Sequence, residues 1–284
     1  MFKMITSDLY KYLNWKNKKQ YLLLLTHILF LMQTTINSHF INYKSNLLNF
    51  IENFNSTGVL FGDGKRNIIK LFDFEGKTIN IKSFKIPNLV NIIAYKYFRK
   101  SKARRSFEYA NKLLKNGIGT PEPIAYFENF DFLGLKESYY VSEHLQCDLT
   151  YRELVEIPDY PDHENILRQF TRFSYALHQK GIEFIDHSPG NTLIKKTTDG
   201  NYEFFLVDLN RMQFHESMSF EMRMNNLRRL TPYKVMVSVM SNEYAKVSGE
   251  PEQLIFETLW KMTADFQEKF YRKKRLKKKL KFWN

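Results

Sequence analysis

An aspartate and an asparagine stand five positions apart, Asp186 and Asn191, in the stretch FIDHSPGNTLI (184–194). A second aspartate, Asp208, closes the apolar run FFLVD, 22 positions after Asp186. A carboxylate can orient an attacking hydroxyl and accept its proton. An amide and a carboxylate together suit magnesium, which takes oxygen ligands and keeps room for water or phosphate oxygens. The chemistry the three residues could serve jointly is phosphoryl transfer to a hydroxyl. That reaction asks a protein for positioning and charge neutralisation more than for covalent help. Each residue alone has a plainer explanation. The first stretch reads equally as an Asx-Pro-Gly turn. A carboxylate ending a buried strand is costly unless it meets a cation or hydrogen-bond donors.

Phosphoryl transfer from a nucleotide needs further parts in a fixed chain order. GVLFGDGKRN (58–67) carries Gly58, Gly62 and Gly64, whose turn could present backbone N–H groups to phosphate oxygens. A plain hairpin turn explains it about as well. TINIKSF (78–84) places Ile79 and Ile81 on one face and ends near Lys82, a candidate phosphate-holding lysine, with Lys85 the neighbour most easily confused with it. Glu108, in RRSFEYANKLL, is the candidate helix glutamate to pair with Lys82. Glu143 and Leu145, at the end of YYVSEHL, complete the expected nucleotide-binding set with Lys82, Glu108, Gly62 and Gly64. A solvated lysine or glutamate would be the ordinary reading of each in isolation.

The elements that must position these residues follow from periodicity. The runs 58–61, 67–74 and 78–84, split by GDGKR and EGK, predict a three-stranded antiparallel meander. NYKSNLLNFIENF (42–54) and PNLVNIIAYKYF (87–98) read as helices. SKARRSFEYANKLLKNG (101–117) predicts a helix capped by Ser101 and stopped by Gly117. TPEPIAYFE (120–128) leads into a strand, and YYVSEHL is another. ENILRQFTRFSYALHQKG (164–181) places Ile166, Phe170, Phe173 and Leu177 on one stripe and ends at Gly181. A hairpin is expected from TLIKK (192–196) and YEFFLVD (202–208), and helices from 217 onward. The fold class expected is therefore α+β, bilobal and kinase-like. The expected division is an extension or interfacial anchor over 1–38, a β-rich N-lobe over 39–146, a helical C-lobe over 147–270 and a polybasic tail over 271–284.

Composition sets bounds. The chain of 284 residues, with 43% hydrophobic residues, is long enough to bury a real core. One cysteine, Cys147, allows no internal disulfide, and the spacings of structural zinc sites are absent. Lys and Arg total 43 against 30 Asp and Glu, a net charge of +13, which favours an anionic partner. Six basic residues fall in 96–105 and eight in 272–281, with Trp283 beyond. The ordinary reading of such runs is a solvated helix. The alternative is an anionic membrane surface, where each basic residue contributes about 1 kcal/mol. No nucleic-acid recognition motif accompanies the charge, so no nucleic-acid partner is expected. YLLLLTHILFLM (21–32) is shorter than the roughly 20 residues a span needs. An interfacial anchor, or an extension upstream of a start at Met32, is favoured over a core helix.

At these residues the chain resembles the lipopolysaccharide core kinases, which phosphorylate Kdo (3-deoxy-D-manno-octulosonic acid) or heptose. The likeness runs over about 55–235. It rests on IKSFKIPN (81–88), FRKSKARRSFEYANKLLKNGIGTPEPIAY (98–126), DHSPGNTLI (186–194), FLVDLNRMQF (205–214) and NLRRL (226–230). The resemblance implies an ATP- and magnesium-dependent sugar kinase, peripheral on the cytoplasmic face of the inner membrane, acting on lipopolysaccharide or a lipid A precursor. It implies Asp186 as the catalytic base, Asn191 and Asp208 as metal ligands, and Lys82 with Glu108 as the nucleotide-holding pair. Two departures stand out. Phe184 replaces the usual loop histidine and is expected to be packing. Asp-Leu-Asn replaces Asp-Phe-Gly. Three rivals are a protein kinase, another small-molecule kinase, and a pseudokinase scaffold. Only 76 residues follow Asp208, short for a peptide-docking lobe, and Lys82, Asp186, Asn191 and Asp208 are all retained, which a pseudokinase would not need.

Overall fold

The computed structural model describes residues 31–64, 67–85, 99–131 and 134–281. The chain divides into two compact units. The first comprises residues up to Phe107 together with Pro123–His144, and the second Glu108–Glu122 with Leu145 onward.

The first unit is one antiparallel sheet of six strands with a helix on its apolar side. The strands are β1 (Leu31–Ile36), β2 (Val59–Phe61), β3 (Asn67–Phe74), β4 (Lys77–Phe84), β5 (Pro123–Phe130) and β6 (Leu135–Glu143), in the order β1-β5-β6-β4-β3-β2. The predicted meander is β2-β3-β4. The alternation in TINIKSF sends Ile79 and Ile81 into the core, both fully buried, and leaves Lys82 half-buried on the other face. Helix α1 (Lys44–Glu52) adds Leu47 and Ile51 to Phe72, Phe74, Ile124, Phe127 and Val141. Phe54, just past α1, meets Tyr139 edge-on at 5.2 Å. Lys70 reaches back to the carbonyls of Phe54 (2.6 Å) and Thr57 (2.8 Å), supplying a cation where the chain leaves the helix.

One expectation changes here. Leu31–Ile36, placed by sequence within an extension or anchor, is a sheet strand that pairs with β5 from Leu31↔Phe130 to Ile36↔Ala125. The apolar run had hidden the β-branched residues Thr34, Thr35 and Ile36 at its end. The helix expected over 87–98 lies outside the described residues.

The second unit is mainly helical. Helix α2 (Lys102–Lys115) crosses the division between units after Phe107. Its cap is as expected: Ser101 Oγ accepts from Arg104 N at 3.0 Å. The stretch 108–122, inside the N-lobe by sequence order, belongs to the second unit. Gly119 O accepts from Leu206 N at 2.9 Å, Thr120 Oγ1 donates to Leu206 O at 2.8 Å, and Lys112 lies 3.7 Å over the Phe214 ring. Then follow β7 (Leu149–Thr150), α3 (Tyr151–Glu156), α4 (His163–Gln179), β8 (Ile182–Phe184), β9 (Thr192–Lys196), β10 (Tyr202–Leu206), β11 (Met212–Phe214), α5 (Phe220–Leu227), α6 (Lys234–Ser248) and α7 (Glu252–Lys281). From the apolar stripe of α4, Ile166 and Phe170 pack with Met240 and Tyr244 of α6 and Ile255 and Leu259 of α7, and Leu177 is fully buried. Gly181 ends the α4 segment at φ +65, and a Cβ there would overlap the carbonyl of His215. No helix among the described residues is long and apolar enough to cross a membrane.

Candidate active site

The loop between β8 and β9 is fixed from three sides. Asn191 Nδ2 donates to the carbonyl of Asp186 at 2.8 Å, bridging the five-residue offset seen in the sequence. Ile185 N donates to Arg211 O at 3.1 Å, tying the loop to the strand pair β8–β11. Pro189–Asn191 forms a 3₁₀ turn, with Asn191 N donating to Ser188 O. Asn191 O in turn accepts from Val207 N at 3.0 Å, which brings Asn191 beside the residue preceding Asp208. The second unit therefore gathers Asp186, Asn191 and Asp208 at one place.

The two carboxylates sit in unlike surroundings. Asp186 is half-buried, and its Oδ1 accepts from Arg229 Nη1 at 2.9 Å and Arg211 Nη1 at 3.1 Å. Asp208 does not end a buried strand as the sequence had implied. β10 stops at Leu206, and the next residue to turn inward is Leu209, so Asp208 is exposed. Its φ is +60, a left-handed conformation, and Asn210 Nδ2 donates to its Oδ1 at 2.7 Å. The argument from the cost of burial therefore does not apply to it.

Phe184 is packing. It is fully buried and stacks on His187 at 5.5 Å, and the Phe170 ring lies 5.5 Å from the same imidazole. His187 itself is fully buried and neither ring nitrogen has a hydrogen-bond partner among the described residues. Burial, with the Arg229 charge acting in the same direction, pushes its pKa down to about 4, so the ring is neutral. Asn226 Nδ2 donates to Phe184 O at 2.8 Å and its Oδ1 faces His178 Nε2 at 3.2 Å, fixing the base of the loop to α5 and α4.

The remaining candidates are placed as follows. In the first unit, Gly62 and Gly64 lie in the turn after β2, both with positive φ; a Cβ at Gly62 would meet open space and one at Gly64 would only touch the Leu60 side chain at 3.9 Å. Lys82 Nζ is 5.4 Å from the Phe84 ring centre, whereas Lys85 is past the strand end and exposed. Glu143 is the last residue of β6 and pairs in register with Ile79. Its carboxylate takes Lys77 Nζ at 2.6 Å, so its place near a nucleotide would be through backbone position. In the second unit, Glu108 is half-buried on α2 and Leu145 half-buried in the segment after β6. A cavity of about 390 Å³ among Gly119, Gln169, Arg172, Phe173, Tyr202 and Phe204 is lined by none of the candidates.

Three residues that sequence reasoning left without a role stand at the site: Arg211, Arg229 and Arg152. A Cβ at Gly190 would come within 2.5 Å of the Arg152 guanidinium, so this loop glycine makes room for it. Arg211 and Arg229 did lie in two of the segments that carried the family resemblance, VDLNRM and NLRRL.

A sheet-rich unit followed by a helical unit, with an Asp-X₄-Asn loop, a hairpin and a further aspartate in that order, is the protein-kinase-like fold. The solved structure "WaaP in complex with acyl carrier protein" matches 84% of this chain and 98% of its own with a TM-score of 0.58, at 15% identity. The chain belongs to the Lipopolysaccharide kinase (Kdo/WaaP) family, whose model matches residues 89–249. No curated protein matches it.

Proposed function

We propose that the protein uses ATP to phosphorylate a hydroxyl of a Kdo or heptose residue in the lipopolysaccharide inner core or a lipid A precursor. The observation that carries this reading is the convergence of Asp186, Asn191 and Asp208, joined through the Asn191–Asp186 and Val207–Asn191 hydrogen bonds. Asp186 orients the acceptor hydroxyl and takes its proton, through Oδ2, since Oδ1 is held by arginine. Asn191 spends its Nδ2 on the Asp186 carbonyl, which leaves Oδ1 as its metal-facing atom, and Asp208 offers an exposed carboxylate. No group of three or more His, Cys, Asp or Glu able to hold a metal occurs among the described residues. One amide and one carboxylate nonetheless fit magnesium, whose other positions go to phosphate oxygens and water. When bound, magnesium would neutralise charge on the transferring phosphoryl group. The same reading assigns nucleotide binding to Gly62, Gly64, Lys82 and Glu143 in the first unit and to Glu108 and Leu145 in the second.

The basic segments 96–105 and 272–281 are read as the contact with an anionic membrane. The described part of the latter is exposed through Lys279, with Leu276 also exposed. Binding to vesicles containing anionic lipid, lost when Lys277, Lys278 and Lys279 become Gln, checks that contact. Binding equal to neutral vesicles would remove it.

The deciding experiment is transfer of the γ-phosphate of ATP, with magnesium, to a Kdo–lipid A acceptor by the purified protein. Phosphorylation of peptides but not of the glycolipid would overturn the acceptor.

A further inference from the structure

Two cations beside the base are left over by this chemistry. Two guanidinium groups, Arg211 and Arg229, donate to the same carboxylate oxygen, Asp186 Oδ1. One would suffice to orient the carboxylate. The geometry of the pair is better matched to a second anion. A guanidinium carries five N–H donors in a rigid fork that fits carboxylate and phosphate oxygens. Arg211 gives one to Asp186, and its side chain is 53% exposed. Arg229 spends Nη1 on Asp186 Oδ1 and the Ile185 carbonyl (3.0 Å). Among the described residues its Nε is buried with no hydrogen-bond partner, and Nη2 makes no hydrogen bond. Burying such a donor without an acceptor is costly.

Both arginines are held in place. The Arg211 carbonyl accepts from Ile185 N, and the Arg229 guanidinium lies 5.4 Å from the Phe266 ring centre. Arg152, against Gly190, adds a third guanidinium along the same loop. We propose that Arg211 and Arg229 form a fork that binds an oxyanion on the acceptor, a carboxylate or a phosphate, beside the hydroxyl that Asp186 orients. This deepens the sugar-kinase reading above and rests on it. The acceptor is then an acidic sugar, selected by charge at the reacting residue and not only through its lipid.

The test uses the full chain saturated with a non-hydrolysable ATP analogue. Kdo, its methyl ester and a heptose phosphate are titrated by calorimetry against wild type, Arg211→Gln, Arg211→Lys and Arg229→Gln. Wild type should bind one of the two anions at least tenfold more tightly than the neutral ester. Kdo would assign the oxyanion as carboxylate, the heptose phosphate as phosphate. Arg211→Gln, on an exposed side chain, should erase the preference and leave affinity for the ATP analogue within twofold. Arg211→Lys should restore part of it. Equal binding of anion and ester, no binding of either anion, or a loss falling on the nucleotide would each overturn the fork. Transfer to Kdo–lipid A, measured alongside, separates the two ideas. Transfer without charge preference sinks the fork and keeps the kinase. Charge-selective binding without transfer sinks the glycolipid acceptor and keeps the fork.

Discussion

The loop carrying Asp186 and the turn carrying Asp208 hold the same side chain in opposite ways. Asp186 sits in ordinary backbone and is gripped by its neighbours: two guanidinium groups on Oδ1 and an amide on its carbonyl. Asp208 is exposed and is aimed by a left-handed backbone, steadied by Asn210. One position depends on a side-chain network drawn from Arg211 just before β11, Arg229 just after α5 and Asn191 of the 3₁₀ turn. The other depends on a local dihedral. A base must keep a fixed distance to a hydroxyl, which a network enforces. A ligand to a cation must reach out of the surface, which a turn allows.

The largest effect should come from breaking the network at its centre. Asp186→Ala is expected to lower kcat by at least about 10²–10⁴-fold, while ATP affinity changes little. Activity equal to wild type would end the assignment. Next, Asp208→Asn should raise the magnesium concentration needed for half-maximal turnover by about an order of magnitude, read from turnover against magnesium at fixed ATP. An unchanged requirement would mean that Asp208 is not a ligand.

The backbone half of the contrast is a stability measurement. At φ +60, Asp208→Gly should leave the melting temperature close to wild type. Asp208→Ala, without a side chain able to hydrogen-bond locally, should be less stable than Asp208→Gly by about 1 kcal/mol. Equal stabilities would show that the dihedral relaxes. The smallest effect is the pH response of the loop. His187 has its pKa lowered from 6.5 to about 4, so on acidification the unfolded chain takes the proton first. Stability should therefore fall from about pH 6.5 down to pH 4. His178, lowered to about 3 mainly by burial, acts in the same sense. Thermal melts of His187→Phe, which fills the space between Phe184 and Phe170, should fall less over this range. A profile as steep as wild type would place the acid sensitivity elsewhere.

Much of this was legible in the sequence, because it is local. The offset between Asp186 and Asn191, the hairpin of β9 and β10, the Ser101 cap and the stripe of α4 are set by residues a few positions apart. What the sequence hid was convergence. Arg211 and Arg229 lie 25 and 43 positions from Asp186, and no periodicity marks two arginines that meet on one oxygen. The exposure of Asp208 was hidden for a different reason: FFLVD reads as one apolar run, and only the structure shows that the strand has already ended at Leu206. The strand at 31–36 was masked by the richer apolar stretch before it.

That strand has a practical corollary for handling the protein. β5 is buried along most of its length, and β1 occupies its free hydrogen-bonding edge. A chain begun at Met32 would lose only the first of the six residue pairs in that ladder. One begun after Ile36 would bare a row of unpaired backbone groups, the kind of edge on which chains stack onto one another. The difference between a clear solution and a precipitate would then rest on five residues that contribute nothing to catalysis.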